Sequence, residues 1–185
     1  MLETTIRSTT DAVAFLKQVS QEVPEAAVVL GSGVKVLEDI SEQTHYSYEQ
    51  IFGISPSIAG HAGSLSLGRI DGHLIAVLRG RFHLYEGHDW SVVTLPTRVL
   101  VEWGVPNLYL TNAAGGFNPS FRVGDLMLLT GYRNHLHPQW QESGLLPALM
   151  SPICNAENEL TSRLWSVGEI LAKDDLAFRP LKRGV

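Results

Sequence analysis

Cys154 is the only cysteine among 185 residues, so no disulfide can form within the chain, which fits a reducing compartment. No apolar run approaches the roughly 20 residues that span a bilayer, and no membrane partner is expected. The opening residues, Met1-Leu2-Glu3-Thr4-Thr5, lack the basic and apolar regions of a signal peptide; a cytoplasmic location is expected. Basic side chains are outnumbered, 14 Lys and Arg against 19 Asp and Glu, and the net charge of −5 argues against a general nucleic-acid binder. A small anionic ligand stays possible, because a local cluster can be positive on an acidic protein.

Familiar catalytic signatures are missing too. Neither GxxxxGK[ST] nor GxGxxG occurs, and Ser32 lacks the G-x-S-x-G elbow of a Ser-His-Asp hydrolase. His135 and His137 stand two apart in a Pro-bearing stretch with no Cys or paired acid at ligand spacing, so no metal site is expected. There are no internal repeats and no low-complexity linker.

What is present describes one globular domain over residues 1–185. Hydrophobic residues make up 44% and charged residues 18%, too apolar for a disordered chain. A helix is expected from Thr9-Thr10-Asp11 to about Gln18, with either Thr as its N-cap. Ala26–Leu30 reads as a buried strand. Leu65–Ile70 and Leu74–Leu78 flank Asp71-Gly72, a strong hairpin signal. Ser91–Trp103 has helical spacing, closes at Gly104, and carries Pro96, best tolerated where a regular helix starts. Leu108-Tyr109-Leu110 and Leu126–Leu129 read as strands, Asn134–Pro152 as a long loop, and Asn158–Ala172 as an amphipathic helix. Leu181–Val185 resembles the opening of a further strand. Residues 40–58 give no firm assignment. Strands alternating with helices predict an α/β sandwich around a mixed or parallel sheet.

The densest chemistry lies in Gly80-Arg81-Phe82-His83-Leu84-Tyr85-Glu86-Gly87-His88. If the strand before it continues, Arg81, His83 and Tyr85 project together while Phe82 and Leu84 point inward. That face offers an anion clamp, a titratable donor and an aromatic edge. An ordinary wet edge strand has the same pattern, and the segment alone does not choose between the two. Glu86, three residues after His83, is placed to orient the imidazole and keep it protonated, or else is a solvated surface acid. Gly31-Ser32-Gly33 follows a buried strand and suits either a tight turn or close approach to an anion. Gly60-His61-Ala62-Gly63 presents a loop histidine. Asn112-Ala113-Ala114-Gly115-Gly116 lies at a strand's C-terminal edge, where α/β sheets bind ligands or where backbones pack closely.

Taken in order, Gly31-Ser32-Gly33, Gly60–Gly63, Gly80–Gly87 and Thr111–Pro119 resemble the trimeric, low-molecular-mass class of purine nucleoside phosphorylases, densely from about Val28 to Leu129. The resemblance implies the nucleoside phosphorylase-like fold and reversible phosphorolysis of purine (deoxy)ribonucleosides, with phosphate attacking an oxocarbenium-like transition state. Inorganic phosphate would be the co-substrate, no cofactor would be needed, and the assembly would be a homotrimer. It implies phosphate contacts at Ser32, His61, Arg81, Phe82, His83 and Ala113. It implies ribose or nucleoside contacts at Tyr85, Asn112 and Ala114, with Glu86 supporting His83.

Members of that family are longer. Past the point where this sequence stops they carry a Gly-Pro motif with a base-recognising Glu, a Ser for phosphate, and an Asn and a His near the purine and the ribose. The sequence therefore reads as the N-terminal two-thirds of such a fold, holding most of the phosphate half of the site and little of the purine half. A phosphate- or sugar-phosphate-binding module with little catalysis and a methylthioadenosine phosphorylase relative are the alternatives.

Overall fold

The computed structural model describes residues 5–31, 34, 36, 37, 40–57, 63–132, 154, 155, 158–174 and 182–184. The chain forms two compact units, Met1–Ala114 and Gly115–Val185.

The first unit opens with α1 (Thr9–Val19). Its cap is Ser8, one residue before the expected threonines. Ser8 Oγ accepts the Asp11 backbone N–H at 3.1 Å and donates to the Asp11 carboxylate at 2.6 Å. Ala12, Val13 and Leu16 are the buried side of this helix. Strand β1 (Ala26–Leu30) follows as the apolar run predicts.

The unassigned stretch contains two elements, β2 (Ser41–Ser47) and α2 (Tyr48–Phe52). The helix start was legible: Ser47-Tyr48-Glu49-Gln50 is a capping box, in which Ser47 Oγ accepts from Gln50 N–H and Gln50 Oε1 accepts from Ser47 N–H. The strand was obscured by a register shift between Ser41 and Thr44, where Glu42 takes a left-handed φ of 53°.

The hairpin forms as expected, β3 (Ser64–Ile70) pairing antiparallel with β4 (His73–Arg79). Asp71 and Gly72 both have positive φ, 51° and 86°, the combination a two-residue turn of this hand requires.

The expected helix over 91–103 is two helices, α3 (Trp90–Val93) and α4 (Leu95–Trp103). Pro96 has no N–H to return to Val92, so the first turn cannot run on into the second. Pro96 sits within the first two positions of α4, where that loss is harmless. Gly104 ends α4 with φ 101°. Strand β5 (Leu108–Leu110) completes the unit.

The strands form one mixed sheet in the order β2-β3-β4-β1-β5. β1 runs parallel to both neighbours, with Leu30 opposite Arg79 and Val29 opposite Leu110. Ala27, Val29, Ala76 and Leu78 join a core with α1, α2 and α4, whose largest members are Tyr48, Phe52, Phe82 and Trp103. Val77, on the opposite face of β4, is fully buried as well, as a central strand in an α/β sheet requires.

In the second unit, β6 (Met127–Leu129) pairs in parallel with β9 (Lys182–Gly184), and β7 (Gly131–Tyr132) pairs antiparallel with β8 (Cys154–Asn155). Helix α5 (Glu159–Asp174) is capped by Asn158, whose Oδ1 accepts from Thr161 N–H at 3.0 Å. The long loop expected over 134–152 lies outside the described residues.

One contact in the first unit admits no side chain. A Cβ at Gly31 would stand 2.7 Å from the Thr111 carbonyl oxygen and 2.8 Å from Asn112 Cα, both backbone atoms. Gly31→Ala is therefore expected to force the ends of β1 and β5 apart and to cost about 1–3 kcal/mol of stability, checked by urea denaturation.

Candidate active site

Parallel pairing on both sides of β1 places three strand C-termini on one edge of the sheet. β1 leaves into Gly31, β4 into Gly80-Arg81, and β5 into Thr111-Asn112. The antiparallel β3 begins at the same edge, since Ser64 pairs with Arg79, so the chain arrives there from Gly63. This is the edge at which open α/β sheets bind ligands.

Thr111 fastens two of these ends. Its Oγ1 accepts the Gly31 N–H at 3.0 Å and donates to the Val29 carbonyl at 3.2 Å. The Thr111 N–H also donates to that carbonyl, at 3.0 Å. Beyond it Asn112, Ala113 and Ala114 are exposed with no regular structure. Ser32 and His61 lie outside the described residues, as do His135 and His137.

The central segment differs from the expected continuous strand. β4 stops at Arg79, Gly80 turns the chain with φ 105°, and Leu84–Glu86 form a single 3₁₀ turn closed by Gly87 at φ 83°. The alternation of Arg81, His83 and Tyr85 along one strand face therefore does not hold. Left-handed glycines at both ends, which an extended strand does not use, explain the difference. Part of the expected grouping survives by another route: the His83 and Tyr85 rings stack, with centroids 4.7 Å apart and planes 20° from parallel. Phe82 is buried against Tyr48 and Phe52, and Tyr85 is exposed.

Glu86 organises the turn. Its side chain is only 1% exposed. Oε1 accepts the His83 backbone N–H at 2.8 Å and lies 3.0 Å from His83 Nδ1. A carboxylate only accepts, so that contact places the proton on Nδ1. Nε2 of His83 then donates only when the ring is an imidazolium. Oε2 accepts both the backbone N–H and the hydroxyl of Ser57, each at 2.9 Å. Burial pushes the Glu86 carboxyl upward, but the two Ser57 donors and then the two from His83 outweigh it and hold the group at about 2, below the ordinary 4.5. Glu86 is thus a buried carboxylate bonded to both the backbone and the ring of His83.

Tyr48 supports the same turn from below. It is fully buried and its hydroxyl donates to the Gly80 carbonyl at 2.7 Å. Burial raises its phenol well above the usual range, with Arg81 pulling weakly the other way, so it acts as a permanent neutral donor. Ser57 and Tyr48 were not singled out in the sequence. Ser57 had no local signal, since its partner stands 29 residues away. Tyr48 was available through the capping box that starts its helix. Among the described residues no group of three His, Cys, Asp or Glu is arranged to hold a metal ion.

The depressed Glu86 carboxyl fixes the direction of a pH effect. A group lowered on folding contributes stability above its unfolded value, about 4.5, and that contribution is lost as pH falls toward about 2. Glu86→Gln is therefore expected to be less stable than wild type by about 1–3 kcal/mol at neutral pH, with the gap closing across that acid window. Urea melts at a series of pH values check this; a gap independent of pH contradicts it.

The chain resembles known proteins over most of its length. A family model described as the phosphorylase superfamily matches residues 25–184. Purine nucleoside phosphorylase 1 of Bacillus subtilis (strain 168) is 44% identical over 128 residues, covering 68% of this chain and 47% of its own length. The purine nucleoside phosphorylase of Mus musculus is 42% identical over 125 residues, covering 66% and 42%. The chain thus spans about half the length of the curated relatives it matches. Among solved structures, isoform 2 of purine nucleoside phosphorylase from Schistosoma mansoni, in complex with cytosine and ribose-1-phosphate, superposes with a TM-score of 0.72 at 30% identity, over 96% of this chain and 64% of that one. Another S. mansoni purine nucleoside phosphorylase, in complex with acetate, gives 0.71 at 28% identity, over 96% and 67%. The mixed five-stranded sheet with its flanking helices is the nucleoside phosphorylase fold. The chain belongs to the phosphorylase superfamily, within its purine nucleoside phosphorylase family.

Proposed function

We propose that this chain supplies the phosphate half of a purine nucleoside phosphorylase, which converts a purine (deoxy)ribonucleoside and phosphate to the free base and (deoxy)ribose 1-phosphate. The observation that carries the reading is the convergence of the Gly31, Arg81 and Asn112 ends on one sheet edge, beside a His83 oriented by an ionised Glu86.

In this reading Arg81 and His83 grip the phosphate, together with Ser32, His61 and the backbone at Ala113. Phe82 has its ring in the core, so its contribution comes through its backbone. Tyr85, stacked on His83, would contact the ribose, with Asn112 and Ala114 at the adjoining strand end. Cleavage of the glycosidic bond leaves positive charge on the sugar and negative charge on the departing purine. A phosphate dianion held on one face of the sugar stabilises that cation and then bonds to its anomeric carbon. The rate gain comes from position and prearranged charge, and no bond to the protein forms. His83 would hold the anion through Nε2–H as an imidazolium, with its Nδ1–H on Glu86. The single domain expected over 1–185, a homotrimer and a cytoplasmic location complete the proposal.

The test is phosphate-dependent cleavage of inosine by the complete gene product. Arg81→Ala is expected to lower kcat/KM for phosphate by roughly ten- to a hundredfold, the worth of one or two charge-assisted hydrogen bonds. Tyr85→Ala is expected to raise KM for the nucleoside more than for phosphate. Absence of cleavage with tight phosphate binding would instead favour the phosphate-binding module, and cleavage of methylthioadenosine in preference to inosine the other relative.

A further inference from the structure

His88 closes the Gly80–His88 segment and has no part in the reading above. Its ring meets Phe82 edge to face, with centroids 5.5 Å apart and planes at 84°. Nε2 is buried, has no hydrogen-bond partner among the described residues, and lies 3.8 Å from Glu86 Oε2. That distance is beyond hydrogen bonding. Oε2 already accepts both donors of Ser57, while Oε1 takes both from His83.

A buried ring nitrogen facing a carboxylate is tolerable in one form and costly in the other. With its lone pair toward Oε2, His88 sets two electron-rich atoms against each other. With a proton there, in the neutral Nε2–H tautomer or in the imidazolium, it becomes a further donor to that anion, and only the imidazolium adds a positive charge beside it. Histidine is the side chain whose charge ordinarily changes within that range. Glu86 also has a cost for the site it supports: it is a full negative charge next to the place where a dianion would bind.

We propose that His88 is a positioning residue for the anion site: its Nε2 faces Glu86 Oε2, and on protonation the positive charge that the ring gains offsets the carboxylate charge and strengthens binding of a tetrahedral dianion as pH falls. This rests on the phosphate-binding reading given above. Among the described residues, Glu86 faces His88 Nε2, His83 bonds the other oxygen of that carboxylate, and Tyr48 packs on the Phe82 ring that His88 meets; Asp89 follows His88 in the chain and Arg81 precedes Phe82. His83, Asp89 and Arg81 are shared by wild type and variants, so a comparison between them isolates His88.

Sulfate is the suitable probe, because it stays a dianion across the range in which phosphate takes up a proton. Calorimetry on the full-length protein at about pH 5.5 and about pH 8 would compare wild type with His88→Gln and His88→Phe, the latter keeping the edge-to-face contact with Phe82. Sulfate binding by wild type is expected to tighten on acidification by roughly three- to tenfold more than binding by either variant. Variants that tighten as much as wild type overturn the proposal. A wild type that binds neither sulfate nor phosphate overturns the functional reading and, with it, the effect on affinity. That failure is distinguishable, since the ¹³C signal of the Glu86 carboxyl reports the coupling without any ligand. A shift between the two pH values that shrinks in His88→Gln supports the contact; an undiminished shift excludes it.

Discussion

Everything that resembles a site in this chain depends on β1 pairing in parallel on both sides. A strand with one parallel and one antiparallel neighbour would send two of the three motif ends to opposite edges of the sheet. Here the chain leaves β1, β4 and β5 in the same direction, and residues far apart in sequence meet at one rim. The arrangement is fastened at backbone level. Gly31 lets the ends of β1 and β5 approach to a distance that no side chain permits, and Thr111 bonds across the gap. The candidate site residues therefore stand on loops, but the loops start from positions fixed by sheet hydrogen bonds.

The second organising element is the Glu86 carboxylate. It receives donors from two chain segments and from both the backbone and the ring of His83. It thereby does three things at once: it closes a 3₁₀ turn, fixes a tautomer and holds down the loop around Ser57. A neutral glutamine could repeat some of these contacts but would bring no charge to them. Tyr48 works in the complementary way, as a buried hydroxyl whose proton stays in place while it holds the Gly80 carbonyl. The turn that carries Arg81 and His83 is thus clamped by one group that is charged at neutral pH and one that is neutral there.

Much of this was legible in the sequence where the signal was local. The apolar run of β1, the Asp71-Gly72 hairpin, Pro96 near a helix start and Gly104 at a helix end each depend on neighbours within a few residues, and each appears in the structure. What escaped was nonlocal or concealed. The β2 strand has a register shift and an exposed face, which removed the alternation that identifies strands. The segment after Arg79 alternates like a strand, yet its glycines turn it aside, so a period-2 pattern alone misled about where Arg81 and Tyr85 point. Ser57 could not be found at all, because a serine becomes an anion's partner only when the fold brings it to Glu86. The resemblance to purine nucleoside phosphorylases rests on the order of four motifs; among the described residues the topology brings Gly31, Gly80 and Thr111 to one sheet edge.

The place of β1 between two parallel partners also has a kinetic meaning. Gly31 and Thr111 are 80 residues apart in the chain, and neither parallel partner of β1 exists until β4 and β5 have been made. Contacts of such long range are slow to form and expose the strands that await them. During synthesis at about 5–20 residues per second, the five apolar residues Ala26–Leu30 would leave the ribosome seconds before their partners. The strand that gathers the motifs in the finished molecule is, in the nascent one, the segment most in need of shelter.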